Sequence, residues 1–349
     1  MRVETKNQTE MKKILSVALM CAAAVCAGAK DTEVSVLQWN IWQEGTSVKG
    51  GAEAIVEEIA RLQPDFVTLS EVRNYNDVDY TASLVEALKS KGVEYHSFRS
   101  DDTGLLSRYP ITDTLTVFPL CNDHGSIYRL LAEKEGKKLA VYTAHLDYLD
   151  DAYYNVRGYD GSTWKEIPIP ATVEEVLERN VRSQRDDAIK LFIKQAEKDM
   201  AAGYTVILGG DFNEPSHRDW TAVTADMFDH HGFIVPWTVT TLLEEAGFVD
   251  TYRTLYPDVL AYPGFTYPSD VPGMAPEKVT WAPKADERDR IDYIWVSPGV
   301  KIEDAVIFGP KESVVRSKVV TEQTSDRFIE PLGVWPTDHK GLLVKLLIP

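Results

Sequence analysis

Tyr204-Thr-Val-Ile-Leu-Gly-Gly-Asp211-Phe-Asn213 is the stretch on which the reading of this chain turns. Val206, Ile207 and Leu208 form a short apolar run closed by two glycines, the pattern of a buried strand that stops abruptly. Two polar side chains of different capability follow, one residue apart. An ionised Asp only accepts hydrogen bonds, whereas Asn also offers an NH2 donor. At the end of a central strand, Asp211 could orient a water while Asn213 holds an anionic oxygen. Gly, Asp and Asn are also turn formers, so the stretch alone supports a plain turn as readily as a site. Its counterparts elsewhere decide.

Those counterparts share the same layout. Val34-Ser-Val-Leu-Gln-Trp-Asn40 reads as a largely apolar strand finishing on an amide, and Asp65-Phe-Val-Thr-Leu-Ser-Glu71 as a second finishing on a carboxylate. Lys138-Leu-Ala-Val-Tyr-Thr-Ala-His145 finishes on an imidazole. Arg290-Ile-Asp292-Tyr-Ile-Trp-Val carries Asp292 near its start, and Thr337-Asp338-His339 precedes a last strand, Gly341 to Ile348. Singly, each has a plainer explanation as a strand cap, a surface acid or a satisfied core histidine. A whole set of strand ends bearing oxygen or imidazole groups is harder to dismiss.

In this order the residues resemble the endonuclease/exonuclease/phosphatase superfamily, which includes DNase I-like nucleases, inositol-polyphosphate phosphatases and neutral sphingomyelinases. The matching positions are Asn40 of Gln-Trp-Asn-Ile-Trp, Glu71 of Ser-Glu-Val, His145 of Thr-Ala-His-Leu-Asp, and Asp211 with Asn213. They continue with Asp292 of Arg-Ile-Asp-Tyr-Ile and the pair Asp338-His339. Gly104-Leu-Leu-Ser-Arg-Tyr-Pro-Ile111 is similar to the family's strand and turn before a proline. The similarity runs from about Val34 to Leu347, with Thr337 where a Ser often precedes the Asp-His pair. It implies an α/β fold: a four-layer α/β/β/α sandwich of two mixed sheets flanked by helices. Apolar residues at helical spacing over 50–62, 80–89 and 173–198 suit those outer layers, the last being the longest expected helix.

A phosphate ester repels its nucleophile, and its leaving oxygen gains charge in the transition state. A hard cation held by oxygen ligands offsets both, and Mg²⁺ commonly takes one or two carboxylates plus substrate oxygens and water. Glu71 and Asn40 are the candidates to hold Mg²⁺, or Mn²⁺ or Ca²⁺ in its place, and the resemblance adds Asp338. Water must then be activated by a carboxylate or imidazole. Asp292 beside His339 fits a base oriented by an acid, and Asp211 fits a carboxylate orienting the water. Asn213 would bind the phosphate, and His145 would donate to a phosphoryl oxygen or the leaving group. Either Asp211 or His339 serves as the base in this reading.

The N-terminus reads as an export signal over residues 1–29: Met11-Lys-Lys, an apolar core from Ile14 to Cys26, then Ala27-Gly28-Ala29. That core is too short for a permanent membrane span. Residues 30–349 are then expected as one catalytic domain, periplasmic or extracellular, with 33 Lys+Arg against 52 Asp+Glu, a formal charge of −19. Only Cys121 remains in it, so no internal disulfide is expected. Proteins that bind DNA without sequence preference wear a basic face that displaces counterions. So acidic a chain disfavours long nucleic acid and favours a small phosphorylated partner.

Specificity is expected after His145. Residues 146–171 hold Tyr148, Tyr153, Tyr154, Tyr159 and Trp164, in a stretch longer than the ~12–15 residues usual for structureless loops. A second Tyr- and Pro-rich stretch, 252–283, could form the opposite wall, and Arg129, Arg157, Arg185 and Arg288 are candidate phosphate ligands. The expected function is a metal-dependent phosphoesterase acting on a small or glycan-linked phosphate, such as a phosphosugar or inositol phosphate. Alternatives are a sphingomyelinase-type headgroup phosphodiesterase, a secreted nuclease, and a non-catalytic binding module on the same fold.

Overall fold

The near-continuous apolar strands are apolar because both of their faces are covered. In a strand successive side chains point to opposite faces. Val36, Phe66, Val141, Ile207 and Ile294 point one way and pack together in a single core. Their neighbours Leu37 and Val67 face the opposite way into a second core, and Tyr142, Leu208 and Trp295 into a third. The computed structural model describes residues 31–121 and 124–349, so the expected export signal lies outside the described residues. Residues 32–348 form one compact unit.

Two sheets stack around the first core. One holds β1 (Thr32–Asn40), β2 (Phe66–Val72), β3 (His96–Ser97), β4 (Asp102–Ser107), β11 (Lys301–Phe308), β14 (Phe328–Ile329) and β15 (Gly341–Ile348). Its order is β14-β11-β15-β1-β2-β4-β3. The other holds β5 (Asp113–Phe118), β6 (Gly125–Lys134), β7 (Lys137–Leu146), β8 (Thr205–Asp211), β9 (Val249–Asp250) and β10 (Asp292–Val296), ordered β5-β6-β7-β8-β10-β9. A separate hairpin joins β12 (Glu312–Val315) to β13 (Lys318–Thr321). Both large sheets are mixed: β1 is parallel to β2 and β7 to β8, whereas β15 and β10 run antiparallel to β1 and β8.

Helices cover the outer faces, as the four-layer sandwich requires. Ile55 and Ile59 of α1 (Gly51–Leu62) and Leu84 and Leu88 of α2 (Tyr80–Ser90) pack on the first sheet at the i, i+4 spacing of one helix face. No described helix is long and apolar enough to cross a membrane. The aromatic stretch after His145 holds a short helix, α3 (Ala152–Val156), and a bridge between Tyr159 and Glu166.

The expected single helix over 173–198 is instead two, α4 (Val173–Asn180) and α5 (Arg185–Ala201). Polar demand overrides periodicity at the join. Arg185 is buried and donates to the carbonyls of Asp147 and Asp150 and to Asp151 Oδ1. Ser183 Oγ meanwhile donates to the Asn180 carbonyl, closing off the first helix. Beyond the break, Ile189 and Phe192 of α5 pack on the second sheet with Val239 and Leu243 of α6 (Thr238–Glu245).

Under the aromatic stretch lies a smaller core in which Trp220 stacks on the buried His230, ring centroids 3.7 Å apart. Burial, and after it the charge of Arg157, pushes the His230 imidazole down to about 2. The folded protein therefore keeps it neutral while the unfolded chain takes up a proton below about pH 6.5. Its contribution is full above that pH and is lost as pH falls toward the folded value, by at most about 1.4 kcal/mol per unit. Denaturant titrations at pH 7 and pH 5 should show wild type losing about 1–2 kcal/mol more than H230F. Equal losses in the two proteins would remove His230 from the acid response.

Candidate active site

Strand direction brings the site together. β1, β2, β7 and β8 end where β10 and β15 begin, so Asn40, Glu71, His145 and Asp211 arrive beside Asp292 and Asp338-His339. Within the second sheet, Asp211 is the register partner of both His145 and Asp292. Every expected catalytic and metal-binding residue, Asn40, Glu71, His145, Asp211, Asn213, Asp292, Asp338 and His339, is found at this one end.

Two local distortions aim the side chains. Glu71 sits at φ 66 beside a bulge between Ser70 and Val72, and a bulge of that kind re-aims the side chain it carries. Asn213 has φ 48, in the left-handed region Asn tolerates, and its amide donates to Asp211 Oδ1 at 3.0 Å. The sheets can close here because Gly209 has no side chain: a Cβ would lie 2.2 Å from Thr68 Oγ1 in the other sheet. Thr68 donates to Gln38 Oε1 at 2.6 Å, and Gln38 Nε2 crosses the seam to Asp292 Oδ1 at 3.3 Å.

A hydrogen-bond chain connects the charged groups. Asn40 Nδ2 donates to Glu71 Oε1 at 3.1 Å and to Asp211 Oδ2 at 2.9 Å, while its Oδ1 accepts from the Trp42 amide at 2.9 Å. His339 Nδ1 meets Asp292 Oδ2 at 2.9 Å, leaving Nε2 3.8 Å from Asp211 Oδ2. His145 Nδ1 meets Asp102 Oδ2 at 2.7 Å, and its Nε2 faces Asn213 Nδ2 at 3.2 Å. Asp102 also binds Arg73 through its other oxygen, at 2.7 Å. The sequence reading passed over Asp102, Arg73 and the seam residues Gln38 and Thr68. An acid at the first position of a strand and an arginine two past Glu71 gave it no chemical pattern to find.

Burial and mutual charge tune these groups in opposite directions. Burial, followed by the neighbouring Asp292, pushes Asp211 up to about 6. Asp338 rises to about 7 through burial and then the charge of Glu71. Burial opposes charge on both histidines, yet Asp102 carries His145 up to about 9 and Asp292 carries His339 up to about 10.

Two positions suit a cation. Glu71 and Asp338 repel each other across the cavity, and Asp338 Oδ1 is buried with no hydrogen-bond partner among the described residues, as a carboxylate oxygen reserved for a metal would be. Asp211, Asp292 and His339 also offer ligand atoms within 4.8 Å of one another. That second trio already satisfies itself through the His339–Asp292 bond, so the first position fits a hard cation better.

Glu71, His145, Asp211, Asn213, Asp338 and His339 line a cavity of ≈ 250 Å³. Tyr148, Tyr153, Tyr154 and Trp164 from the stretch after His145 form one wall, and Tyr267 and Trp281 from the second aromatic stretch form the other. Both expected walls are present. Tyr153 and Tyr154 are only 2% and 1% exposed, and they also belong to the core under that stretch. Removing them would therefore cost stability as well as contact with a substrate, contrary to a purely recognition role. The four expected phosphate-binding arginines are instead committed to acids: Arg129 to Asp199, Arg157 to Asp289, Arg185 to Asp151 and Arg288 to Asp286. Arg73 is the arginine lining the cavity.

A model of the endonuclease/exonuclease/phosphatase family matches residues 37–339. The chain belongs to that family. Its members are metal-dependent phosphoester hydrolases, and this chain is of that phosphoesterase type. "Uncharacterized protein F14F9.5" of Caenorhabditis elegans is 28% identical over 262 residues, covering 75% of this chain and 78% of its own. The structure of TDP2 from C. elegans covers 95% of this chain and 81% of its own at TM-score 0.54 and 16% identity. D. rerio TDP2, solved with a single-strand DNA product, covers 90% of this chain and 99% of its own at TM-score 0.50 and 18% identity. These structures share the fold.

Proposed function

We propose that this family member is an exported, Mg²⁺-dependent phosphoesterase whose substrate is a small or glycan-linked phosphate ester, such as a phosphosugar or inositol phosphate. The observation that carries this reading is the aromatic-walled cavity of ≈ 250 Å³ directly over the convergence of Glu71, Asp211, Asp338 and His339. It is small even against the ~300–1,000 Å³ usual for small-molecule sites. The apolar run Ile14 to Cys26 closing on Ala27-Gly28-Ala29 supports export.

Glu71 and Asp338 would hold the metal, with Asn40 setting the Glu71 carboxylate and keeping its own Oδ1 nearby. When bound, the cation polarises the phosphoryl group and offsets charge on the leaving oxygen. Asp211, pushed up to about 6, remains ionised at neutral pH and is the base that takes a proton from the attacking water. His339 keeps its own proton near neutrality because of Asp292, so it stabilises charge rather than accepting a proton. Asn213 Nδ2 and a protonated His145 Nε2, 3.2 Å apart, are two donors converging on one point. An anionic phosphoryl or leaving oxygen is what satisfies both. The new P–O bond comes from water, the ester P–O bond breaks, and His145 can return a proton to the departing oxygen.

The nuclease reading draws on the TDP2 complex with DNA, and it meets a chain of net charge −17. With Mg²⁺ present, kcat/KM should be higher on hexose or inositol phosphates than per phosphodiester of duplex DNA at physiological salt. Efficient DNA degradation with no turnover of any small ester would reverse that order and refute the proposal.

A further inference from the structure

We propose that the stacked indoles of Trp164 and Trp281 form a subsite for a neutral sugar ring, so that the phosphate is carried on linked sugars rather than on one. This rests on the phosphoesterase reading above. The two rings lie 4.9 Å apart at an interplanar angle of 29° and both line the catalytic cavity, with Trp281 half exposed. A cavity of ≈ 250 Å³ has room for little more than one phosphorylated ring, so a second ring must extend past it along the exposed part of its indole wall, Trp281.

The indole platform is built before any ligand arrives. Trp164 contacts Tyr154 edge to face at 5.1 Å, and Tyr154 packs on Tyr153 at 4.4 Å, a ladder of rings leading down into the core. Buried Glu287 accepts from Tyr154 Oη at 3.0 Å and from the Trp281 amide at 3.2 Å, so one carboxylate ties both aromatic stretches together. Trp164 itself has φ 58, a conformation uncommon for a bulky residue and kept only where the surroundings enforce it. Fixing ring positions in advance lowers the ordering cost of binding.

Charge selects the occupant. An indole face takes either a nucleobase or the C–H face of a sugar. The pair is flanked by the Lys284–Glu166 ion pair, which offers hydrogen bonds without net charge, on a chain of net charge −17. A polyanionic strand is repelled there, and a neutral sugar is not.

The full chain would be titrated with maltotriose, cellotriose and mannotriose, all free of phosphate, and with a single-stranded oligothymidylate, following tryptophan fluorescence and heat. At least one trisaccharide should bind, W281A should weaken it about tenfold, and W281F should retain most of the affinity. Protection of Trp281 from N-bromosuccinimide by the same trisaccharide reads the contact in the wild type, should W281A fold poorly. The inference is overturned if no trisaccharide binds, if W281A that folds binds as wild type, or if oligothymidylate is the ligand that occupies the indoles. Trisaccharide binding by a protein that hydrolyses no phosphate ester would keep the subsite and remove the phosphoesterase reading. Ester hydrolysis without trisaccharide binding would do the reverse.

Discussion

Asp211→Asn is expected to lower kcat by a factor of about 10²–10⁴, the range for loss of a positioned base. The substitution keeps the shape and one of the two hydrogen bonds that Asp211 accepts, from Asn40 or from the Asn213 backbone, but an amide cannot take a proton from water. His339→Ala should fall in the same range of about 10²–10⁴ for a different reason: the charge 3.8 Å from Asp211 disappears and Asp292 is left buried without its partner. Asp292→Asn should be milder, because His339 stays in place while its proton is held less firmly. In wild type, activity should rise with pH as Asp211 ionises near 6 and fall as His145 loses its proton near 9. D211N should lose the acid limb of that profile. Wild-type turnover in H339A, or an acid limb that persists in D211N, would show that the assigned roles are wrong.

Removal of metal is the second large effect. Chelation should abolish phosphoester hydrolysis and added Mg²⁺ should restore it, because the available ligands are hard carboxylate oxygens. Asp338 Oδ1 has no hydrogen-bond partner among the described residues, and burial with the adjacent Glu71 charge makes its ionised form costly until a cation arrives. Glu71→Gln removes half of that charge pair while keeping the hydrogen bond from Asn40 geometrically available. It should therefore raise the Mg²⁺ concentration needed for half activity and reduce kcat, with the circular dichroism spectrum unchanged. Full activity in EDTA, with metal content shown by elemental assay to be nil, would sink the assignment.

The fold and the charged centre were legible in the sequence because both leave marks at short range. A strand buried on two faces is apolar nearly throughout, and a catalytic end shows as a polar residue where the run stops, as at Asn40, His145 and Asp211. What was not legible depends on contacts far apart in the chain. Asp102 becomes informative only once β4 places it against His145, and Gln38 only when the other sheet brings Asp292 to it. The helix expected over 173–198 fails for the same reason: the carbonyls that claim Arg185 lie in the stretch after His145. Tyr153 and Tyr154 were read as recognition residues because composition cannot distinguish a ring that faces a ligand from one that also completes a core.

The approach of the two sheets at Gly209 has a consequence for how such an enzyme could fail. One sheet contributes Asn40 and Glu71, the other His145, Asp211 and Asp292, and side-chain hydrogen bonds from Gln38, Asn40 and Ser70 and to Asp102 span the gap between them. Neither sheet alone holds a workable set. A side chain at position 209 would wedge the layers apart, leaving each pleated surface paired and helix-backed but the chemistry dismantled. A substitution at 209 would thus register twice, as lost activity and as a lower melting temperature, because the seam that assembles the site is also packed between the sheets.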